Sequence, residues 1–134
     1  MAVFDASIVI AAFSPDEIEL RAAEALRPLL GGGSHVPDLW SIEVANVLLT
    51  KFRRGLLIRE EIDAVWRTIR QIPLEFHAIS IERIETDVLP LAERHGLSSY
   101  DATYLELARR LGRPLATLDR KLRVAAEAEH VELL

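Results

Sequence analysis

Leu97-Ser98-Ser99-Tyr100-Asp101-Ala102-Thr103-Tyr104-Leu105-Glu106-Leu107-Ala108 is the stretch on which the reading of this chain turns. Ala102, Leu105 and Ala108 recur at three-residue steps, which puts them on one face of a helix with Leu107 and Leu111 at its edge. Ser98 or Ser99 supplies the cap. Asp101 then falls in the first turn, where free N–H groups and the helix dipole favour an anion. A first-turn acid is ordinarily only a stabilising device. Three further acids, Asp5, Glu43 and Asp119, stand at comparable places in the chain and give Asp101 company.

Working outward, the elements on either side predict where those acids lie. Ala2-Val3-Phe4 is a short buried strand that ends at Asp5 and leads through Ser7 into a helical run, Ile8 to Phe13. Pro15 and Asp16 open a second helix to about Leu30, with Ile18, Ala22, Ala25, Leu26 and Leu29 inward, and Gly31-Gly32-Gly33-Ser34 ends it. His35 and Val36 make a brief second strand. Asp38 is the expected cap of a helix from Leu39 to about Arg54 that is apolar nearly all round, except for a narrow polar stripe of Glu43, Asn46 and Thr50. Arg59 to Gln71 is helical, Leu74 to Ser80 a strand, and Ile81 to His95 a helix that Pro90 should kink or restart near Asp87. Beyond the quoted stretch come the strand Leu115-Ala116-Thr117, a helix from Arg120 to about Glu129 capped by Asp119, and a closing strand, Val131 to Leu134. Short strands alternating with helices predict a single α/β domain over residues 1–134, with a mostly parallel sheet of about four or five strands flanked by helices on both faces.

Composition narrows the chemistry. With 134 residues, half of them apolar, the chain can bury one good core. The absence of cysteine excludes disulfides and thiolate metal sites. Histidines 35, 77, 95 and 130 are scattered without ligand-like pairing and read as surface or loop residues. The apolar run at the N-terminus lacks a basic leader and is far too short to span a bilayer, so a cytoplasmic protein with no membrane partner is expected. A net charge of −5 argues against a phosphate-binding surface, but setting the four acids aside leaves the remainder nearly neutral. Two local basic groups, Lys51, Arg53 and Arg54, and Arg120, Lys121 and Arg123, read first as solvated helix faces.

Asp5 and Asp119 each follow a strand, Asp101 starts a helix, and Glu43 lies one turn into another; the first three share the edge where open α/β sheets place ligands. Asp5 with Ser7, and Asp119 with Thr117, repeat one pairing of carboxylate and hydroxyl, in which each hydroxyl can orient its acid or a water. Carboxylates gathered within about 4–6 Å cannot all ionise without a compensating positive charge. A divalent cation held by oxygen alone is a hard ion, Mg²⁺ or Mn²⁺, and such ions usually serve phosphate chemistry. The pattern thus points to a metal-dependent phosphoryl or phosphodiester enzyme.

Val3-Phe4-Asp5-Ala6-Ser7, Glu43-Val44-Ala45-Asn46, Leu97 through Ala108, and Ala116-Thr117-Leu118-Asp119-Arg120-Lys121-Leu122 together resemble the PIN-domain family, in particular the VapC-type toxins of type II toxin–antitoxin systems. The resemblance covers essentially the whole chain. It implies a PIN-like fold and a Mg²⁺- or Mn²⁺-dependent endoribonuclease that hydrolyses RNA with a metal-activated water, leaving 5′-phosphate and 3′-hydroxyl ends. It also implies neutralisation by a cognate VapB-type antitoxin, and a homodimer or toxin–antitoxin hetero-oligomer. Residue by residue, Asp5, Glu43, Asp101 and Asp119 match the family's acidic quartet, with Glu43 binding directly or through water, and Ser7, Asn46 and Thr117 are the supporting polar groups.

Two other readings use the same residues. A receiver-type phosphorylation switch also gathers acids at a sheet edge, but its phosphate-accepting aspartate ends a mid-chain strand, whereas Leu48 to Glu60 here reads as helix, turn and helix start. A catalytically idle PIN fold that only binds a protein partner would not require a complete quartet.

Overall fold

The computed structural model describes residues 1–17, 24, 27 and 33–134; the helix expected between Pro15 and Leu30 falls largely outside them. Four strands, β1 (Ala2–Phe4), β2 (Ser34–Pro37), β3 (Leu74–His77) and β4 (Leu115–Ala116), form one sheet in the order β3-β2-β1-β4, every pair parallel. The expected closing strand is reduced to a single bridge, Leu115 to Leu133. The Leu115 amide donates to the Glu132 carbonyl and the Leu134 amide to the Leu115 carbonyl, so the segment pairs at one residue only.

Among the described residues the helices are α1 (Ala6–Phe13), α2 (Trp40–Arg53), α3 (Arg59–Ile69), α4 (Ile81–Arg83), α5 (Leu89–His95), α6 (Ser99–Leu111) and α7 (Arg120–Ala128). The quoted stretch becomes α6, and it is the centre of the molecule. Ser98 caps it by accepting the Asp101 amide at 3.1 Å, and Gly112, in the left-handed region at φ 62°, ends it. Its burial exceeds the predicted single face: every residue from Ala102 to Ala108 is buried, because α6 packs against β1, β2 and β4 on one side and α5 and α7 on others. Glu106 is tolerated in that surround because Arg110 reaches it at 2.9 Å and Arg83 at 3.6 Å.

Helix α2 departs from expectation in two ways. Asp38 does not cap it; Leu39 occupies the cap position and no side chain bonds there. Nor is it covered all round. Trp40, Val44 and Leu48 are fully buried within the chain, while Ile42, Leu49 and Phe52 are exposed on the far side.

Of the two expected outcomes at Pro90 the helix takes the restart, which falls at Leu89, two residues beyond Asp87. Between α4 and α5 the backbone winds through a π-helical turn, Ile84–Val88, whose wider spacing sends the Leu89 amide to the Ile84 carbonyl and delivers Pro90 into the first turn of α5. A proline is tolerated there because its missing N–H has no helical partner to lose.

The histidines also require correction. His35 is buried on β2, and its Nδ1 lies 3.0 Å from Nε2 of His77 on the neighbouring β3. They form a pair, hidden in sequence by a separation of 42 positions. Among the described residues no helix is long and apolar enough to cross a membrane.

Candidate active site

Strand β1 has β2 on one side and β4 on the other, so the order reverses beside β1 and leaves a crevice at the carboxyl ends of β1 and β4. Asp5 sits at that end. Its amide closes the β1–β4 ladder on the Ala116 carbonyl at 3.1 Å, and its carboxylate caps α1, accepting the Ser7 amide at 3.1 Å and the Ile8 amide at 3.4 Å.

The two hydroxyls predicted to support the site both serve Asp5. Ser7 Oγ donates to Asp5 Oδ1 at 2.5 Å and accepts the Leu118 amide at 3.1 Å. Thr117 Oγ1 donates to Asp5 Oδ2 and accepts the Asp119 amide at 3.0 Å. Thr117 therefore orients the acid across the crevice rather than its neighbour's side chain. Asp119 instead caps α7, accepting the Leu122 amide at 2.8 Å, and Arg123 holds the loop by donating to the Thr117 carbonyl at 3.0 Å.

Asp101, in the first turn of α6, and Glu43, in the first turn of α2, enter the same space. All four acids line one cleft of about 780 Å³, together with Ser7 and Tyr104. Asn46 does not line it and is exposed on α2. Two contributors were not anticipated. Tyr104 lies three residues after Asp101 on the same face of α6, a spacing visible in sequence. Asp16 and Glu17 form one rim, where Lys51, buried rather than free, pairs with them at 2.7 and 2.5 Å.

Electrostatics inside the cleft are strained. Burial pushes the Asp5 carboxyl up to about 6 against the pull of its hydroxyl and amide donors, and Asp101 adds a further push. Burial likewise raises Glu43, with the charges of Asp101 and Asp5 adding to it. Asp101 is raised by burial and then by the charge of Asp119. The Tyr104 phenol is held well above its usual range by burial and by the surrounding carboxylates. Glu43 Oε1 and Tyr104 Oη are both buried and influence one another's ionisation, yet no hydrogen bond closes between them, and each is left without a partner among the described residues.

Oxygen donors with raised proton affinity and an orphaned carboxylate oxygen are what a hard divalent cation would satisfy. The four carboxylates do not crowd together: among the described residues the only trio of His, Asp and Glu donor atoms within 4.8 Å is His35, Glu75 and His77. That wider spacing suits an ion that retains several waters.

A PIN domain model matches residues 2–128 of this chain. The chain belongs to the PIN domain family. Its kinship extends to VapC-type members: it is 35% identical to Ribonuclease VapC3 of Pyrobaculum aerophilum over 124 residues, which cover 90% of each chain. Solved structures share its fold. A Pyrobaculum aerophilum protein superposes with a TM-score of 0.66 at 23% identity, over 92% of this chain and 83% of that one. The toxin–antitoxin complex from Klebsiella pneumoniae gives 0.62 at 21% identity, over 89% and 87%. In this PIN domain, the elements that carry Asp5, Glu43, Asp101 and Asp119 are those that meet at the sheet's switch point.

Proposed function

We propose that this PIN domain is a divalent-metal-dependent endoribonuclease of the VapC toxin type, hydrolysing RNA phosphodiester bonds and neutralised by a cognate antitoxin. The observation that carries the reading is the convergence of Asp5, Glu43, Asp101 and Asp119 on one cleft at the sheet's switch point. Asp5, Asp101 and Asp119 would hold Mg²⁺ or Mn²⁺, with Glu43 contributing directly or through water. When bound, the ion lowers the pKa of an attacking water and offsets charge on the phosphate.

The chain's own residues do the rest. Ser7 and Thr117 fix the Asp5 carboxylate so that neither oxygen can rotate away. Glu43, whose proton affinity is raised, is placed to orient the water or take its proton. Tyr104, almost wholly buried, forms the part of the cleft wall beside Glu43. Arg120, exposed beside Asp119, is placed to meet the RNA backbone, whereas Lys51 is committed to Asp16 and Glu17.

The antitoxin would cover the outer face of α2, where Ile42, Leu49 and Phe52 are exposed, continuing into Leu56 and Ile58. Purified, antitoxin-free protein should cut RNA in Mg²⁺ or Mn²⁺ and stop in EDTA. Cleavage that is undiminished by EDTA overturns the metal mechanism. Persistent absence of cleavage across varied RNAs, with antitoxin binding intact, would leave a protein-binding PIN fold instead.

A further inference from the structure

Away from the acidic cleft, β2 and β3 bring a second set of donor atoms together. Their parallel register sets His35 opposite Glu75, and His77 follows two residues along β3, so all three share one face of the sheet. His35 Nδ1 lies 3.0 Å from His77 Nε2 and 3.5 Å from Glu75 Oε2, and His77 Nε2 lies 4.0 Å from Glu75 Oε1. One donor atom from each residue falls within 4.8 Å of the other two. We propose that His35, Glu75 and His77 form a second metal site, suited to Zn²⁺, which clips the edge strand β3 to β2.

The spacing suits that ion. Ligands at 2.0–2.1 Å in a tetrahedron stand about 3.3–3.4 Å apart; the histidine nitrogens are 3.0 Å apart and each meets a different Glu75 oxygen, at 3.5 and 4.0 Å, so a turn of the exposed carboxylate that brings one oxygen to both completes the tripod. Imidazole donors favour Zn²⁺ over Mg²⁺, whereas the cleft's oxygen-only set has the opposite preference. The two sites therefore differ in metal as well as in place.

Burial prepares the ligands. His35 is only 8% exposed, so packing already holds its ring in place on β2. Glu75 is the opposite, with its side chain 64% exposed on the edge strand. It leaves an entry path and a fourth position open to water.

Two features limit affinity. Arg113 and the N-terminal amine bring positive charge toward His35, which Glu75 counters. His35 Nε2 is buried without a partner among the described residues, so a ring ligating through Nδ1 lacks the outer hydrogen bond that usually orients a metal-bound histidine. A clip of modest affinity follows, stabilising the sheet in proportion to free Zn²⁺.

The test uses the untagged full chain, titrated with Co²⁺ in saturating Mg²⁺ and then displaced with Zn²⁺. The parent and Asp5→Asn should both develop the intense visible absorption of tetrahedral, nitrogen-ligated Co²⁺, and both should melt higher in Zn²⁺. His77→Gln should lose both signals, and Glu75→Gln should bind at least about tenfold more weakly. Because Glu75 is exposed, its variant decides the matter if His77→Gln fails to fold by circular dichroism. A pale octahedral spectrum in the parent shows a hydrogen-bonded histidine pair only. Signals that survive His77→Gln and Glu75→Gln, or that vanish in Asp5→Asn, place the ion elsewhere and overturn the site.

Discussion

Asp5 ends a strand, caps a helix and faces three other acids, and these duties conflict. As a cap it is favourable; as a buried carboxylate with a raised pKa of about 6 it is not. The folded protein binds that proton more tightly than the unfolded chain, so metal-free stability is full near the unfolded value of 3.8 and falls as pH rises through 6, by on the order of 2–3 kcal/mol. Asp5→Asn should therefore abolish cleavage, leave the melting temperature in EDTA at pH 7 equal to the parent's or higher, and shrink the upward shift that Mg²⁺ produces. A markedly lower melt in EDTA with the full Mg²⁺ shift retained would make Asp5 an ordinary structural acid. Tyr104→Phe removes a buried hydroxyl that has no partner, so denaturant unfolding should change by less than about 1 kcal/mol while cleavage slows. At this scale Asp5, Asp101 and Asp119 were legible because helix starts and strand ends mark themselves in local sequence. Tyr104 was legible in principle, three residues from Asp101. His35 and His77 were not, since strand register decides their meeting and nothing local encodes it.

Helix α2 shows what periodicity cannot decide. Its apolar residues surround the axis in sequence, and only packing reveals that Leu48 is 1% exposed whereas its neighbour Leu49 is 42% exposed. Leu48→Ala should cost about 2–4 kcal/mol in denaturant unfolding, and Leu49→Ala less than about 0.5 kcal/mol. Loss of antitoxin binding should follow the reverse order, which equilibrium binding would measure. Lys51, assigned by pattern to a basic surface, instead ties α2 to Asp16 and Glu17 at the cleft rim. Lys51→Ala strands two acids beside an already acidic cleft and should cost about 1–3 kcal/mol, more at low ionic strength. The alternation of strands and helices was readable over most of the described residues, the closing strand at Val131–Leu134 excepted. The π-helical turn before Pro90 was not, because an α-helical periodicity has no place for the extra residue.

For the molecule as a whole, a water nucleophile makes one demand that a ribose nucleophile would not. A 2′-deoxy sugar at the scissile position should still be cut at saturating substrate, and loss of chemistry there would exclude hydrolysis by water. The parallel sheet and its switch point also set an order of events. Asp5 is gripped by Thr117, 112 residues further on, and β1 cannot close against β4 until that segment exists. Such long-range closure is the slow part of folding, and during synthesis it comes last. A ribosome that has not yet released the segment bearing Thr117 thus displays Asp5 without the distant hydroxyl that orients its carboxylate.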